Sequence, residues 1–528
     1  MKNVKLNPEQ QSALEQIKKG GNYIILGNAG TGKSTLLQHL HDAIPEAVFV
    51  APTGAAARLI NGVTINSLFR LPPYPYLTPD AIGVISNMST RKMIAAIKTL
   101  VIDEISLVRS DMFAAIDYRL RQYAPSSGSC LLPFGGRQLI LCGDFFQLPP
   151  VVTDTNISGR SVGELLEREL GGICPFNTPL WFQSKITPLY LRTNMRQSED
   201  KAFRECLNAF RSDDIKRHQT ALDLLNSRVT SMVPENAIYL CPRKSEANAI
   251  NDRELSKLKT PEKHFSAICK GDFGNDYPVD PELRLKLQER VIVTVNISGD
   301  ITNGTSGEIV DFQENGVAIK LSDGQEILIA PYEFKKISYR LVRDPATGEE
   351  RPVPFETGSY RQLPLCPGYA LTIHKSQGMT FDSVVLNRGN RGCFTHGQCY
   401  VGISRVRKLE DLHLVQPLSL SDIIIAPEVI LADRMFRDNQ NMWVSCVKDI
   451  LEQLTADEKG YITAIDSFAT TVFKDIATEY QRRFNAGEEV TIAVKPCFEY
   501  LCQELFQFYT GQKNVDLLQT FSGLLKHI

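Results

Sequence analysis

The chain has 528 residues, 43% hydrophobic and 22% charged, which fits several packed domains and excludes a disordered chain, a collagen-like fibre or a disulfide miniprotein. Its 58 basic and 60 acidic side chains leave a net charge of −2, so a polyanion partner must be met by a local groove rather than a basic body. Twelve cysteines without a CxxC pair point to reduced thiols and a cytoplasmic location. The polar stretch from Met1 to Gln11 lacks signal-peptide character, and no apolar run reaches the ~18–20 residues of a membrane span, so no membrane partner is expected.

In chain order, residues 23–26, 48–50, 100–102 and 139–141 predict short buried strands alternating with helices, as in a parallel α/β sheet. A second α/β stretch opens at 187, with Phe203, Leu207 and Phe210 on one helical face and a strand at 237–240. From 284 to 363, β-rich runs such as 291–295 alternate with Asn303-Gly304, Asp323-Gly324 and Thr347-Gly348 turns, predicting an inserted small β-barrel. The α/β pattern resumes to 416. Beyond it, Trp443, Cys446, Val447, Ile450, Leu451 and Leu454 mark one amphipathic helix, and Leu517, Phe521, Leu524, Leu525 and Ile528 another. The expected domains are therefore 1–186, 187–283 with 364–416, the barrel at 284–363, and a helical accessory domain at 417–528. That last domain packs on the body or takes a protein partner.

Gly27, Asn28, Ala29, Gly30, Thr31, Gly32, Lys33 and Ser34 have the GxxxxGK[ST] spacing, between an apolar strand and a helix that runs on through Thr35 and Leu36. The glycines let successive N–H groups curl toward a phosphate, and the helix N-terminus adds a positive dipole end. Lys33 would reach the β/γ-phosphates of ATP and Ser34 would ligate Mg2+. A plain glycine turn is the alternative, and the strand–helix context argues against it. Asp103 and Glu104 follow the next strand, where Asp103 would hold the Mg2+ and Glu104 would orient or deprotonate water. Taken alone, the two acids read equally well as a cap for the following segment. After the strand at 139–141, Gln147 sits where an amide would contact a γ-phosphate. Phe145 and Phe146 fit base stacking or core packing, with packing favoured for at least one. Cys393, His396 and Cys399 are spaced like zinc ligands, but no fourth ligand is evident and packed or exposed thiols are preferred. Trp181 and Trp443 read as core.

The wording of these motifs, with Leu6 to Gln10, Ala51 to Ala57, Thr64 to Ser67, Leu191 to Gln197, Ala370 to Gly378 and Tyr400 to Arg405, resembles the PIF (petite integration frequency) DNA helicases. These are superfamily-one relatives of the RecD-like helicases. The resemblance runs from Leu6 to Arg407. It implies an α/β fold of two RecA-like domains, a small barrel in the second, and a C-terminal helical accessory domain. It places Gln10 at the base, the residues from Gly27 to Thr35 and Gly378 around the nucleotide, and Lys33, Ser34, Asp103 and Glu104 at phosphates and metal. It makes Gln147 and Gln377 coupling groups, and Arg196 and Arg405 arginine fingers from the second domain, whose guanidinium forks would neutralise the transferred phosphoryl.

The same resemblance implies a DNA path of phosphate contacts, with Thr53, Gly54, Asn66 and Ser67 from the first domain and Thr372, His374 and Lys375 from the second. Asn66 stands where the family usually has histidine. The implied activity is an ATP-dependent helicase or translocase, 5′→3′ on single-stranded and forked DNA, working as a monomer in replication, repair or recombination. A DNA-stimulated ATPase that remodels nucleoprotein complexes shares every one of these motifs. A nucleotide-switched binding module would need neither paired carboxylates nor arginine fingers.

Overall fold

Strands buried on both faces need continuous apolar runs, and the first lobe has them. Tyr23–Gly27, Val48–Ala51, Thr99–Ile102 and Gln138–Gly143 form where the apolar runs predict. The computed structural model describes residues 5–438, apart from 127–128, 158, 198, 275, 299 and 346–347. Within it the first sheet has six parallel strands, in the order Val63–Thr64, Val48–Ala51, Thr99–Ile102, Gln138–Gly143, Tyr23–Gly27, Thr187–Leu191. Parallel neighbours require crossovers, and these bring the phosphate loop, the Asp103 turn and the Asp144 turn to one edge of the sheet.

Four expected boundaries move. Thr187–Leu191 was assigned to the second lobe, yet it pairs in register with Tyr23–Gly27, with Leu189 opposite Ile25. A strand that follows a long irregular stretch carries no signal of which sheet it will join. The insertion is also larger than 284–363. Lys263–Ser266 pairs with Glu282–Leu285, Ile268–Gly271 with the long strand Glu350–Gln362, and Leu365–Pro367 with Arg290–Val293. The early strands are exposed and lysine-rich, so their period-two pattern is weak. The turns at Gly304, Gly324 and Gly348 have φ of 108°, 87° and 72°, as those turn signals require.

Within the insertion, one antiparallel sheet runs Glu326–Ile329, Gly316–Lys320, Ser306–Gln313, Arg290–Val293, Leu365–Pro367. Tyr332–Arg343 and Glu350–Gln362 form a long hairpin that leans on the first lobe. There the Phe49 N–H donates to Tyr339 Oη at 3.0 Å, and Lys98 pairs with Glu349 at 2.6 Å.

The second lobe carries a four-stranded parallel sheet, Ala370–Thr372, Ile238–Cys241, Val384–Leu386, Leu412–Leu414, interrupted in sequence by the insertion. One contiguous apolar core joins the two lobes, and helix Pro427–Asp438 packs into it through Val429, Ile430, Ala432 and Phe436. Phe436 lies 5.7 Å from Trp181 and 6.1 Å from Phe145, ring centre to ring centre. Residues 417–438 thus belong to the α/β body rather than to a separate accessory domain. The amphipathic patterns at 443–454 and 517–528, with Trp443, lie outside the described residues.

Candidate active site

The phosphate loop is built from glycine conformations that a side chain would block. Gly30 and Gly32 have φ of 83° and 79°, and Gly32 caps helix Lys33–Ala43. A Cβ on Gly30 would collide with Arg196, and one on Gly32 with the Gln10 amide. Both glycines therefore admit neighbours from elsewhere in the chain. Gln10 Nε2 donates to Gly32 O at 3.0 Å, while its Oε1 closes a capping box with Asn7. Lys33 Nζ donates to Gly27 O and Asn28 O at 2.7 and 3.1 Å, parked on the loop it would leave for a phosphate.

Two half-buried acids face this loop. Burial pushes the Asp103 carboxyl up, although the Cys142 thiol and the nearby Lys33 charge oppose that shift. Glu104 sits in the left-handed region at φ 49°, a conformation that costs a non-glycine residue energy and turns its carboxylate into the cleft. Burial first, and the Asp103 charge second, push Glu104 up to about 7. Its Oε2 accepts from Gln377 Nε2 at 3.1 Å, so the expected coupling glutamine of the second lobe already touches the expected base. Gly378, at φ 81°, turns the chain just beyond it.

Arg196 and Arg405 reach the same cleft from the far side of the loop. Arg196 Nη1 donates to Ser404 O at 3.1 Å. Arg405 is 1% exposed and bonds Val401 O, Ser376 O, Met379 O and Ser404 Oγ. Every one of these acceptors is neutral. Burial lowers Arg196 to about 10, and burial together with the neighbouring Arg196 charge lowers Arg405 to about 9. Both stay cationic at neutral pH. Two adjacent cations, Arg405 buried and Arg196 half-buried, without a carboxylate at ion-pair distance among the described residues, would be stabilised by an anion.

Gln147 is held within its own turn: it is 6% exposed, and its Nε2 donates to Asp144 Oδ2 at 3.2 Å. Phe145 and Phe146 are both buried, so both are core rather than base platforms. Trp181 is core as well. His396 accepts the Ala426 N–H at Nδ1 and therefore donates from Nε2 to Phe145 O at 2.7 Å. With both nitrogens used it has no lone pair for a metal, and no metal-ligating cluster occurs among the described residues.

The residues expected on a DNA path are more open. Thr53 Oγ1 accepts the Ala56 N–H at 3.2 Å, capping helix Gly54–Leu59, and Thr372 Oγ1 accepts the Lys375 N–H at 3.3 Å. Each hydroxyl keeps its O–H free to donate outward. Thr53, Ser67, His374 and Lys375 are exposed, while Gly54, Asn66 and Thr372 are half-buried. Gly54 lies under the Asp276 carboxylate of the insertion, which also pairs with Arg58 at 3.6 Å.

Sequence reasoning missed Arg211. Its Nη1 sits 2.7 and 2.8 Å from the Asp144 oxygens, with the guanidinium over the Phe146 ring at 4.3 Å. It stands in a run of charged residues that reads as a solvated surface turn; only the buried Asp144 inside a quoted motif signalled that a cation must come from elsewhere.

A family model described as PIF1-like helicase matches residues 5–220. The ATP-dependent DNA helicase Pif1 of Bdellovibrio bacteriovorus is 30% identical over 443 residues, covering 81% of this chain and 91% of that protein. A crystal structure of Pif1 from Bacteroides sp with ADP-AlF4 superposes with a TM-score of 0.73 at 30% identity, covering 83% of this chain and 98% of that one. Bacteroides Pif1 bound to ssDNA superposes at 0.58, with 30% identity and coverage of 83% and 99%. The chain spans about three fifths of the length of the PIF1 helicases of zebrafish and human that it also matches. On the matched length and identity, this chain belongs to the PIF1-like helicase family.

Proposed function

We propose that the protein is an ATP-driven DNA helicase or translocase whose two lobes close on ATP and reopen after hydrolysis. One observation carries the reading: a glycine phosphate loop and two carboxylates on the first lobe face the buried Arg405 of the second lobe and Arg196, which sits against the loop and donates to Ser404 O of the second lobe. Such a cleft is complementary to a triphosphate only when both lobes contribute. Hydrolysis is thereby tied to their relative position.

Asp103 and the Ser34 hydroxyl would hold Mg2+: both offer the hard oxygens that this cation takes, and the Asp103 carboxyl, pushed up by burial, would be stabilised in its charged form by the ion. Bound there, the ion would supply charge neutralisation at the β/γ-phosphates. Glu104, held near neutral by its burial, would take the proton of the attacking water, and Gln377 would fix the carboxylate in place. Arg196 and Arg405 would neutralise the charge that builds on the transferred phosphoryl. On the outer face, the hydroxyls of Thr53, Ser67 and Thr372, with Asn66, His374 and Lys375, would grip phosphates without reading bases. Alternating grip by the two lobes would move the strand, 5′→3′ as in the family, on single-stranded and forked DNA. The insertion would act as the family's small barrel.

The test is the ATPase rate with and without single-stranded DNA, and strand separation on a tailed duplex. Strong stimulation and unwinding are expected in the native chain. Lys33→Ala should lose at least about 100-fold in turnover with an unchanged unfolding transition. Robust hydrolysis by that variant would remove the site. Stimulated hydrolysis without unwinding would instead mark a nucleoprotein-remodelling ATPase.

A further inference from the structure

Arg211 follows the C-terminal end of helix Lys201–Ala209, and its own N–H donates to Asn208 O at 3.1 Å. That helix is fastened to the second lobe at its N-cap, where Asp200 Oδ2 accepts the Leu409 N–H at 2.9 Å, and the helix that follows it through Asn226, which bonds Leu418 in both directions. Yet side chains at the C-terminal end of Lys201–Ala209 reach across to the first lobe at two points. Arg211 holds both oxygens of Asp144, and Asn208 Oδ1 accepts from Asn28 Nδ2 of the phosphate loop at 3.0 Å. Tyr400 closes the bridge: its Oη accepts from Arg211 Nη1 at 3.3 Å and from the Ala29 N–H at 3.4 Å.

The pair itself is dry. The Arg211 and Asp144 side chains are 10% and 1% exposed, and the guanidinium lies between the Phe146 and Tyr400 rings at 4.3 and 5.5 Å. Burial opposes both charges, yet each holds the other ionised: Asp144 is shifted down and Arg211 up. A buried ion pair is a poor device for stability, because desolvation cancels much of its attraction. It is a good device for fixing geometry. What it fixes is the turn from Asp144 to Gln147, where the Asp144 carboxylate also accepts the Phe146 N–H and the Gln147 amide.

We propose that Arg211 is a positioning residue that ties the Gln147 turn to the second lobe, so that cleft closure and the placement of Gln147 become one movement. The inference rests on the reading that this cleft hydrolyses ATP under the control of DNA. Arg211 acts through Asp144, both of whose oxygens it holds. Its guanidinium holds both Asp144 oxygens and lies over the Phe146 ring, so lysine, a compact point charge, replaces only part of it.

The test splits binding from turnover in the full chain. Arg211→Gln should bind a fluorescent ATP analogue within about 3-fold of the native affinity while its DNA-stimulated kcat falls about 10-fold or more, because small misplacements of a catalytic group are costly. Arg211→Lys should fall between the two. The glutamine variant leaves Asp144 buried without its partner, so the double variant Asp144→Asn with Arg211→Gln removes that orphan charge. The double variant should unfold like the native chain, bind the analogue and still lack stimulation. Full stimulation in the double variant, or equal losses in affinity and kcat, would overturn the inference while leaving the ATPase reading intact. Absence of DNA-stimulated hydrolysis in the native chain would overturn both.

Discussion

The nucleotide cleft and the outer face use similar side chains under opposite physical conditions. In the cleft, Asp144, Arg211 and Arg405 are almost fully buried, and bonds from both lobes converge on the phosphate loop. On the outer face, Thr53, Ser67, His374 and Lys375 meet water and make few bonds to one another. Interactions between charges strengthen as water is excluded, so the cleft concentrates its free energy in a few groups whose loss is expensive. An outer face that must slide along phosphates needs the reverse: many weak, screened contacts, none decisive.

The sharpest way to break this contrast is Arg405→Ala. A buried cation that acts only on the transferred phosphoryl should be dispensable for binding and essential for turnover. The expected result is a kcat lower by on the order of 10³-fold with nucleotide affinity changed by less than about 10-fold. Loss of affinity matching the loss of kcat would make Arg405 a binding residue and weaken the division between the regions.

Much of this cleft was legible in sequence because its parts are local. The phosphate loop, Asp103 with Glu104, and the arginines of two motifs each carry a short pattern tied to a strand end. The partnerships were not legible. That Gln377 meets Glu104, or that Arg211 crosses to Asp144, depends on how two sheets face each other, with separations of 273 and 67 residues. The fold divides in the same manner. Strands at 23–27, 48–51, 99–102 and 138–143 announce themselves through continuous apolar runs. Lys263–Ser266 and Ile268–Gly271, exposed and polar, become strands only because a partner strand offers them hydrogen bonds. Helix Pro427–Asp438 was read as the start of another domain because its apolar stripe does not reveal which surface it covers.

His396 offers a second, smaller test of the dry side of the contrast. It lies behind the cleft, with Nδ1 accepting from Ala426 and Nε2 donating to Phe145; Asp144 and Arg211 are the nearest charges. Burial lowers its affinity for a proton, although Asp144 pulls the other way. Because the folded value lies below the unfolded one, its contribution is fully present above the ordinary histidine range near 6.5 and is lost as pH falls below it. The slope from this one residue is at most about 1.4 kcal/mol per pH unit. Thermal unfolding between pH 7.5 and 5.5 should show the loss, and His396→Gln should flatten that part of the profile. An unchanged acid slope in the variant would assign it to other groups.

The smallest effect is expected on the wet side, where the insertion meets the outer face. Asp276, from the insertion, lies over Gly54 and beside Arg58, with its side chain 72% exposed. Gly54 and Thr53 are the groups read as phosphate contacts, so the Asp276 carboxylate places a negative charge where a DNA phosphate would come. An exposed ion pair contributes little to stability, about 0–1 kcal/mol, so its removal should leave unfolding unchanged. Asp276→Ala should therefore tighten binding of a short single-stranded oligonucleotide about two- to three-fold in low salt, with the gain fading as added salt screens the charge. Weaker binding in low salt would show that Asp276 supports the grip rather than competing with it. In that case the outer face would depend on a specific contact after all.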